Sequence, residues 1–306
     1  MPHARLASDA AAFYLAQSAA SDPGGLADRY ADLPADPHSL ARSARDLTIH
    51  RVEGDLFDHP IAPDRLHHDA ETRYVEEILH TIIERDSAPL TRRREAGDRF
   101  VGVCRDIALL HCSFLRHAGT PARVRCGFAD YFGSAGLRGD HVVTEYWDDA
   151  RGWLLADPQL ADPLVIDAFE VDFDPMDVPR DRFLVAGAAW SAIRAGDADP
   201  QAFGHWHPTE PLVGEWFVAH NARLDLAALN KAEMLLWDIW GTAPRSEAEM
   251  TDTIRHLYDQ VADVTGEKVL FGAVRALFTK NEGLRVPGTV LSLAPFNGPS
   301  MVTLRG

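Results

Sequence analysis

One of the three cysteines in this 306-residue sequence stands where a nucleophile is expected. Cys104 lies in the stretch V-G-V-C-R-D, directly at the predicted first turn of a helix. The positive end of the helix dipole and the unpaired backbone N–H groups there favour the thiolate, which is the nucleophilic form of cysteine. Free cysteine is also among the most frequently buried residue types, so Cys104 alone leaves a structural and a catalytic interpretation open.

Two further residues have the chemistry that a cysteine nucleophile needs, namely a histidine base and a carboxylate that orients it. His141 begins one strand of a predicted hairpin and Asp157 ends the other, with the turn centred near Ala150. The two residues lie within about two positions of being cross-strand neighbours, whose Cβ atoms are about 4.5–5.5 Å apart. The sequence therefore predicts Cys104 as nucleophile, His141 as base and acid, and Asp157 as the orienting group.

The elements that must position these residues are predicted from a change of hydrophobic period. The helix that begins at Cys104 is predicted to stop at Gly119-Thr120-Pro121, since glycine follows its last turn and proline cannot continue it. Val124, Cys126 and Phe128 then alternate with Arg and Gly, which predicts a strand with one buried face. The predicted order is helix, strand, strand, strand, over about 104–118, 122–128, 141–147 and 153–157.

The flanking regions are predicted to be mostly helical, which makes the expected fold class α+β. Asp36 before Pro37 indicates a capped helix that continues to about Leu47. Ser246-Glu247-Ala248-Glu249 indicates a capping box that opens a helix to about Thr265. Further helices are predicted over about 70–85, 229–240 and 268–280. We expect three regions: a helical one over 1–97, a core over 98–180, and a mostly helical one over 181–306 that packs on the core.

Four stretches in the core resemble the motifs of the transglutaminase-like superfamily: G-V-C-R-D-I-A-L-L, G-T-P-A-R-V-R-C-G-F, D-H-V-V-T-E-Y-W and G-W-L-L-A-D-P. The resemblance covers about residues 98–160 and implies a core related to papain, with a cysteine at a helix start and His and Asp on the following strands. It places the nucleophile at Cys104, the base at His141 and the orienting acid at Asp157. It also implies a thioester on the cysteine, which is captured by water or an amine.

The sequence departs from the family pattern beside the predicted base. Many relatives have Ala-Trp after the histidine, whereas Val142 and Val143 follow His141 here. Many relatives also supply a side chain to the oxyanion hole, for which this sequence offers no assignment; the backbone N–H of Cys104 is the expected donor. Regions 1–97 and 161–306 match nothing recognisable, and we expect them to form the acyl and acceptor pockets.

The net charge of −16 and the pI of about 5.2 argue against a nucleic-acid partner and against binding to anionic membranes. The acidic balance mildly favours an amine-bearing substrate or acceptor, although acidity is more commonly a means of keeping a protein in solution. Three cysteines do not make a disulfide framework, and neither a signal peptide nor a long apolar run is visible, so a reducing cytoplasm is the expected location. With no P-loop and no G-x-G-x-x-G, no cofactor is expected.

Several other residues are candidates for binding a substrate or a metal. Asp106, in the first turn after Cys104, and Asp140, adjacent to His141, are the candidate substrate-binding carboxylates. His205 and His207 could hold a metal, but no further ligand pattern accompanies them, so no metal site is predicted. The acidic stretch 172–177 lacks the glycine and the final glutamate of a calcium loop. Cys112 and Cys126 are predicted to be core thiols.

The sequence thus predicts a cysteine-dependent acyl-transfer enzyme of the transglutaminase-like type. It would form a thioester on Cys104 from an amide or thioester substrate, small molecule or peptide, and pass the acyl group to an amine or to water. An alternative is a non-catalytic binding or scaffold protein that retains the Cys-His-Asp set. A metalloprotein that uses His205 and His207 is a third possibility.

Overall fold

The computed structural model describes residues 5–132, 136–205 and 211–305. The chain divides into two compact units: unit 1 comprises Met1–Val124 and Val143–Val178, and unit 2 comprises Arg125–Val142 and Pro179–Gly306. These limits differ from the predicted regions, whose boundaries near 98 and 180 stay a prediction. Two strands, described below, contribute residues to both units.

Ten α-helices occur in the described residues: α1 (Ser8–Leu15), α2 (Pro37–Leu47), α3 (Pro63–His68), α4 (Val75–Arg85), α5 (Cys104–His117), α6 (Pro163–Ala168), α7 (Ala186–Ala195), α8 (Glu215–Leu229), α9 (Asp252–Thr265) and α10 (Phe271–Lys280). Short 3-10 helices lie at Gly24–Tyr30, Asp55–Phe57, Ala96–Asp98, Pro158–Ala161, Pro200–Ala202 and Glu247–Glu249. Within the part of the chain that the structure describes, no helix is both long enough and apolar enough to cross a membrane.

The strands are β1 (Thr48–His50), β2 (Phe100–Gly102), β3 (Ala122–Ala129), β4 (Arg138–Asp148), β5 (Gly152–Ala156), β6 (Phe183–Val185), β7 (Phe203–His205), β8 (Leu212–Val213), β9 (Asp238–Ile239), β10 (Thr289–Ala294) and β11 (Gly298–Thr303). The largest sheet has the order β6-β3-β4-β7-β8, with β5 also paired to β4. β1 and β2 form a parallel pair, and β9, β10 and β11 form a third sheet. The predicted α+β fold class is confirmed.

Unit 1 is built around α5, in which every residue from Cys104 to Arg116 is buried. Helix α2 packs on it and begins as predicted, because the Asp36 carboxylate accepts a hydrogen bond from Ser39 N at 2.9 Å. Helix α4 contributes an apolar face at helical spacing, formed by Val75, Ile78, Leu79 and Ile82. The central helix of this unit is therefore the one that begins at the predicted nucleophile.

Unit 2 has its own core, in which helices α7, α8 and α9 pack on one another. Trp190, Tyr258 and Leu226 are fully buried there, and the Phe128 ring meets Phe203 edge-on at 5.2 Å. Tyr258 donates its hydroxyl proton to Thr242 O at 2.9 Å, which satisfies the one polar group of that ring. This second core explains the apolar content of the C-terminal helices.

Strand β3 is buried on both faces, so the predicted alternation of a buried and an exposed face is wrong. The reason is that both arginines of the strand are paired. Arg123 meets Glu145 at 2.6 Å and lies 3.9 Å from the centroid of a Trp153 ring. Arg125 donates to both carboxylate oxygens of Asp225, each at 2.9 Å, and neither side chain of that pair is exposed. Paired guanidinium groups can be buried where free ones cannot.

The predicted helix over 229–240 is also wrong. Helix α8 ends at Leu229, and Lys231 adopts a left-handed backbone conformation with φ of 63°. The Asp238 carboxylate then accepts from Leu235 N at 2.9 Å and closes a turn within the apolar run. The later helix does reach Thr265, but it begins at Asp252, where Thr251 is the N-cap, and the predicted capping box forms a separate 3-10 turn.

We predict that Asp225→Ala lowers the free energy of unfolding by about 3–5 kcal/mol, because it leaves the Arg125 guanidinium buried without its carboxylate. Cys126 N, which donates to Asp225 at 2.9 Å, loses its acceptor as well. Urea unfolding followed by circular dichroism measures the change. Asp252→Ala is the matched control, since that carboxylate is fully exposed and should change stability by less than about 1 kcal/mol. Equal effects of the two substitutions would contradict a stabilising buried pair.

Candidate active site

Cys104 is the first residue of α5, as predicted. The chain reaches it from β2, whose Val101 pairs with Ile49 of β1, and Val103 is the N-cap of the helix. Cys104 is 5% exposed. Its backbone N–H has no acceptor within residues 5–132, 136–205 and 211–305, as expected for the first turn of a helix. The thiol and a free N–H donor therefore lie at the same helix end.

A buried carboxylate fixes the segment that carries Cys104. Asp106 Oδ2 accepts from Val103 N at 2.9 Å, which is the glutamate-type half of a capping box made with aspartate. Asp106 Oδ1 accepts from Arg105 at 3.0 Å. Burial raises the pKa of Asp106, and the adjacent Arg105 guanidinium opposes that shift. A Cβ at Gly102 would lie 2.9 Å from Asp106 Oδ2, so this carboxylate requires glycine there.

The structure therefore gives Asp106 a structural role. Its side chain is wholly buried, and both of its oxygens accept hydrogen bonds from the protein. Its predicted binding of a substrate amine stays a prediction, and these contacts do not support it.

Helix α5 is joined to β4 by His111. The Nε2 of its ring is 3.3 Å from Pro37 O, and a carbonyl accepts only, so Nε2 carries the proton. The Nδ1 is then an acceptor 3.2 Å from the Thr144 hydroxyl, whose one proton is shared between this nitrogen and Ala108 O, at 3.0 Å. Burial lowers the pKa of His111 to about 3, and the charge of Asp157 opposes this shift. His111 is therefore a neutral connector at neutral pH.

Asp157 follows β5 directly and is fully buried. Its Oδ1 accepts from Gln159 N at 3.0 Å, which caps the 3-10 helix Pro158–Ala161, and its own N–H donates to Pro175 O at 2.7 Å. Helix α5 packs against that 3-10 helix. The helix of the predicted nucleophile and the predicted orienting acid thus belong to the same packed part of unit 1.

A polar chain that the sequence analysis missed supports Asp157. Gln159 Nε2 donates to Glu53 at 2.9 Å, and Glu53 pairs with Arg45 at 2.5 Å. Arg45 returns a hydrogen bond to Gln159 O at 3.1 Å. All three side chains are buried, so every polar contact in the chain is made without competition from bulk water. No local sequence motif predicts these hydrogen bonds, because Arg45 and Gln159 are 114 residues apart in the sequence.

His141 lies on β4 within unit 2 and is buried among aromatic rings. The edge of its imidazole meets Phe132 at a centroid distance of 4.9 Å, and Tyr131 and Phe183 follow at 6.0 and 6.2 Å. The imidazole is therefore in contact with an aromatic cluster of unit 2. Cys104 and Asp157 belong to unit 1, where β4 continues from Val143, and the assignment of the three residues as a triad stays a prediction.

Asp140, the second predicted substrate-binding carboxylate, pairs with His205 at 2.8 Å. His205 is one of the two histidines considered as metal ligands, whereas the other, His207, lies outside the described residues. Across residues 5–132, 136–205 and 211–305, no group of three or more His, Cys, Asp or Glu side chains has the arrangement of a metal site. Cys112 and Cys126 are buried, as predicted.

One comparison with known proteins agrees with the motifs. Residues 69–158 match the model of the transglutaminase-like superfamily, which confirms the resemblance predicted from the sequence. A crystal structure of a candidate cysteine protease from Cytophaga hutchinsonii is similar to the chain at 20% identity and a TM-score of 0.29. That similarity covers 54% of this chain and 46% of the other, so this chain spans about half the length of that relative. A search of curated proteins gives no match.

We predict that His111 makes the protein acid-sensitive. Because its folded pKa is about 3, only the unfolded chain takes up a proton there as the pH falls from 7 to 5. This uptake lowers the free energy of unfolding by up to about 1.4 kcal/mol per pH unit below about pH 6.5. His111→Gln should flatten the dependence by that amount, as measured by urea unfolding between pH 7 and 5.

His256→Gln removes an exposed histidine and serves as the matched control. Burial also lowers the pKa of His220, to about 4, so the His111 variant should keep part of the slope. If the free energy of unfolding changed with pH by the same slope in the His111 variant and in the wild type, a neutral His111 in the folded protein would be excluded.

Proposed function

With the transglutaminase-like match over residues 69–158 as premise, we propose that the protein is a cysteine-dependent acyl-transfer enzyme. Cys104 is the nucleophile, His141 the base and acid, and Asp157 the group that orients the histidine. The acyl donor is an amide or a thioester, and the acceptor is an amine or water. Acyl transfer by a cysteine, a histidine and an aspartate needs no cofactor.

The single observation that carries the proposal is the placement of Cys104 at the start of the central, buried helix of unit 1. A thiol in this position lies in the field of the helix N-terminus, beside its own unpaired N–H. The helix is fixed to β4 through His111 and Thr144, and it packs on the 3-10 helix that Asp157 caps. A cysteine with a merely apolar packing role does not require this set of polar connections.

The strand register supports the role of His141. Thr144 of β4 pairs with Ala156 of β5 in an antiparallel ladder. Continued by one residue, that register brings Val143 opposite Asp157, and His141 shares the strand face of Val143 because side chains alternate. The ladder itself ends at Thr144 and Ala156, so this extrapolated register supports the proposed role of His141 without including either residue.

The proposed reaction has two steps. His141 takes the thiol proton, and Cys104 Sγ attacks the carbonyl carbon of the donor. The resulting oxyanion accepts a hydrogen bond from the unpaired Cys104 N–H, and protonated His141 gives its proton to the leaving amine or thiol. The thioester is then attacked by water or by an amine, whose proton passes to His141 and from there to the departing Cys104 thiolate, which restores the free thiol. The net charge of −16 favours a cationic amine as acceptor over an anionic one.

We predict that iodoacetamide alkylates Cys104 of the folded protein before the other two cysteines at pH 7, because only Cys104 has a base and a helix N-terminus. Peptide mapping by mass spectrometry measures the rates. Cys126 is a control within the same molecule, since it is also 5% exposed, and Cys112 is fully buried. Labelling of Cys126 as fast as Cys104 would contradict the nucleophile and favour a non-catalytic scaffold protein.

We predict that Asp157→Asn slows the alkylation of Cys104 at pH 7 by about tenfold or more, since the imidazole loses the carboxylate that fixes its tautomer. Asp162→Asn is the matched control, because Asp162 is also buried and also caps a helix, through Leu164 N at 3.1 Å. Circular dichroism establishes that both variants are folded. If both substitutions slow the reaction equally, Asp157 acts through stability and not through His141.

The acyl group itself is identified by intact-mass spectrometry of the protein after incubation with cell extract, with Cys104→Ala as the comparison. A mass added to the wild type and absent from the variant identifies the acyl group that the thiol carries. The absence of any added mass under conditions that permit alkylation would contradict acyl transfer.

A further inference from the structure

A second feature of unit 1 is a buried guanidinium that forms no ion pair in the part of the chain that the structure describes. Arg99 is 1% exposed, and its Nε donates to Arg94 O at 3.0 Å. Its Nη1 has no hydrogen-bond acceptor, and no carboxylate lies within 4 Å of the group, in residues 5–132, 136–205 and 211–305. A desolvated cation of this kind is costly unless an anion or polar ligand reaches it.

The neighbours of Arg99 increase its need for an anion. Its guanidinium stacks on the Phe57 ring at 4.9 Å, and Arg45 stacks on the same ring at 5.0 Å. Arg45 is neutralised by Glu53, whereas Arg99 is not. Burial lowers the pKa of Arg99 to about 10, and the charges of Arg45 and Arg93 add to this effect, whereas the more distant charges of Asp162 and Asp46 oppose it.

Arg93 and Arg94, which lie beside Arg99, are already compensated. Arg94 donates to the carbonyls of Asp86, Ala88, Pro89 and Arg92, and its Nε lies 3.3 Å from the Asp86 carboxylate. Arg93 lies 3.3 Å from Asp162 and is half exposed. Among the arginines of this cluster, Arg99 is therefore the one with no carboxylate within 4 Å in the part of the chain that the structure describes.

Arg99 lines a depression of about 430 Å³. This volume is within the range of small-molecule sites. Leu56, Phe57 and Leu164 supply an apolar wall, and Leu164 is 45% exposed although it is apolar. Asp58 and Glu95 also line it, but both are exposed, so water screens their charges far more than that of Arg99.

We propose that this depression binds a small organic anion, whose carboxylate or phosphate end pairs with Arg99 and whose apolar part lies on Leu56 and Leu164. Arg93, which is half exposed, also lines the depression, and its charge, shared with Asp162, adds a weaker attraction for the anion. None of the lining residues belongs to the candidate active site, so the proposal does not rest on the proposed acyl transfer. The site is thus an additional ligand site of unit 1.

The test is calorimetric titration of the full-length protein with inorganic phosphate, with hexanoate and with hexanol at constant ionic strength. We expect at least one anion to bind and hexanol to bind at least about tenfold more weakly, since a charge-assisted hydrogen bond is lost. Tighter binding of phosphate assigns a phosphate ester, and tighter binding of hexanoate assigns a carboxylate. Binding of neither anion, or equal binding of hexanol, would overturn the proposal.

Variants locate the site. Arg99→Gln should weaken anion binding about tenfold or more, and Arg93→Gln should weaken it by a smaller factor. Arg93 is 47% exposed, so we expect Arg93→Gln to fold. This variant can therefore test the site even if Arg99→Gln does not fold. Arg92→Gln removes the same charge one residue away, outside the depression, and should bind as the wild type does. If the Arg92 and Arg93 variants bind equally well, the anion does not occupy this depression.

Discussion

A wholly buried carboxylate at the first turn of α5 is the interaction on which the candidate site depends. Asp106 holds Val103 N, receives Arg105 and leaves room only for a hydrogen at Gly102. The stretch V-G-V-C-R-D is therefore a structural unit in which glycine, aspartate and arginine fix the backbone that presents Cys104. A buried carboxylate is unfavourable unless it has hydrogen-bond partners. The turn is therefore stable only in the geometry that supplies Asp106 with these partners.

The same constraint recurs around α5. Its buried histidine connects α2 and β4 through neutral hydrogen bonds, and the chain Arg45–Glu53–Gln159 supports the backbone after β5. Unit 1 is otherwise apolar, and these hydrogen bonds are its directional contacts. Each of them defines the orientation of the elements it joins more closely than apolar packing alone would. Arg99 is the exception, because its guanidinium has the burial of the others without their compensation.

Local signals in the sequence were sufficient for the elements that carry the candidate site. The N-cap at Asp36, the start of α5 at Cys104 and the hairpin of β4 and β5 each depend on residues a few positions apart, and they were predicted. The alternation in β3 was misleading, because partners distant in the chain, Glu145 and Asp225, allow its arginines to be buried. The apolar run 229–240 is not a helix, since Lys231 and Asp238 direct a turn that hydrophobicity does not reveal. The hydrogen-bonded series Arg45–Glu53–Gln159 has no local sequence signature at all.

Strands β3 and β4 each begin in one unit and end in the other, which has a consequence for dissecting the molecule. The chain passes from unit 1 to unit 2 after Val124, returns after Val142, and passes again after Val178. No single cut therefore yields either unit as a continuous fragment. A clone that ends at Val178 would carry residues 125–142 without the helices that bury Phe128, and a clone that begins at Pro179 would lack β3 beside β6. Fragment expression and domain swaps should be designed, and limited proteolysis products interpreted, with these three crossings in mind.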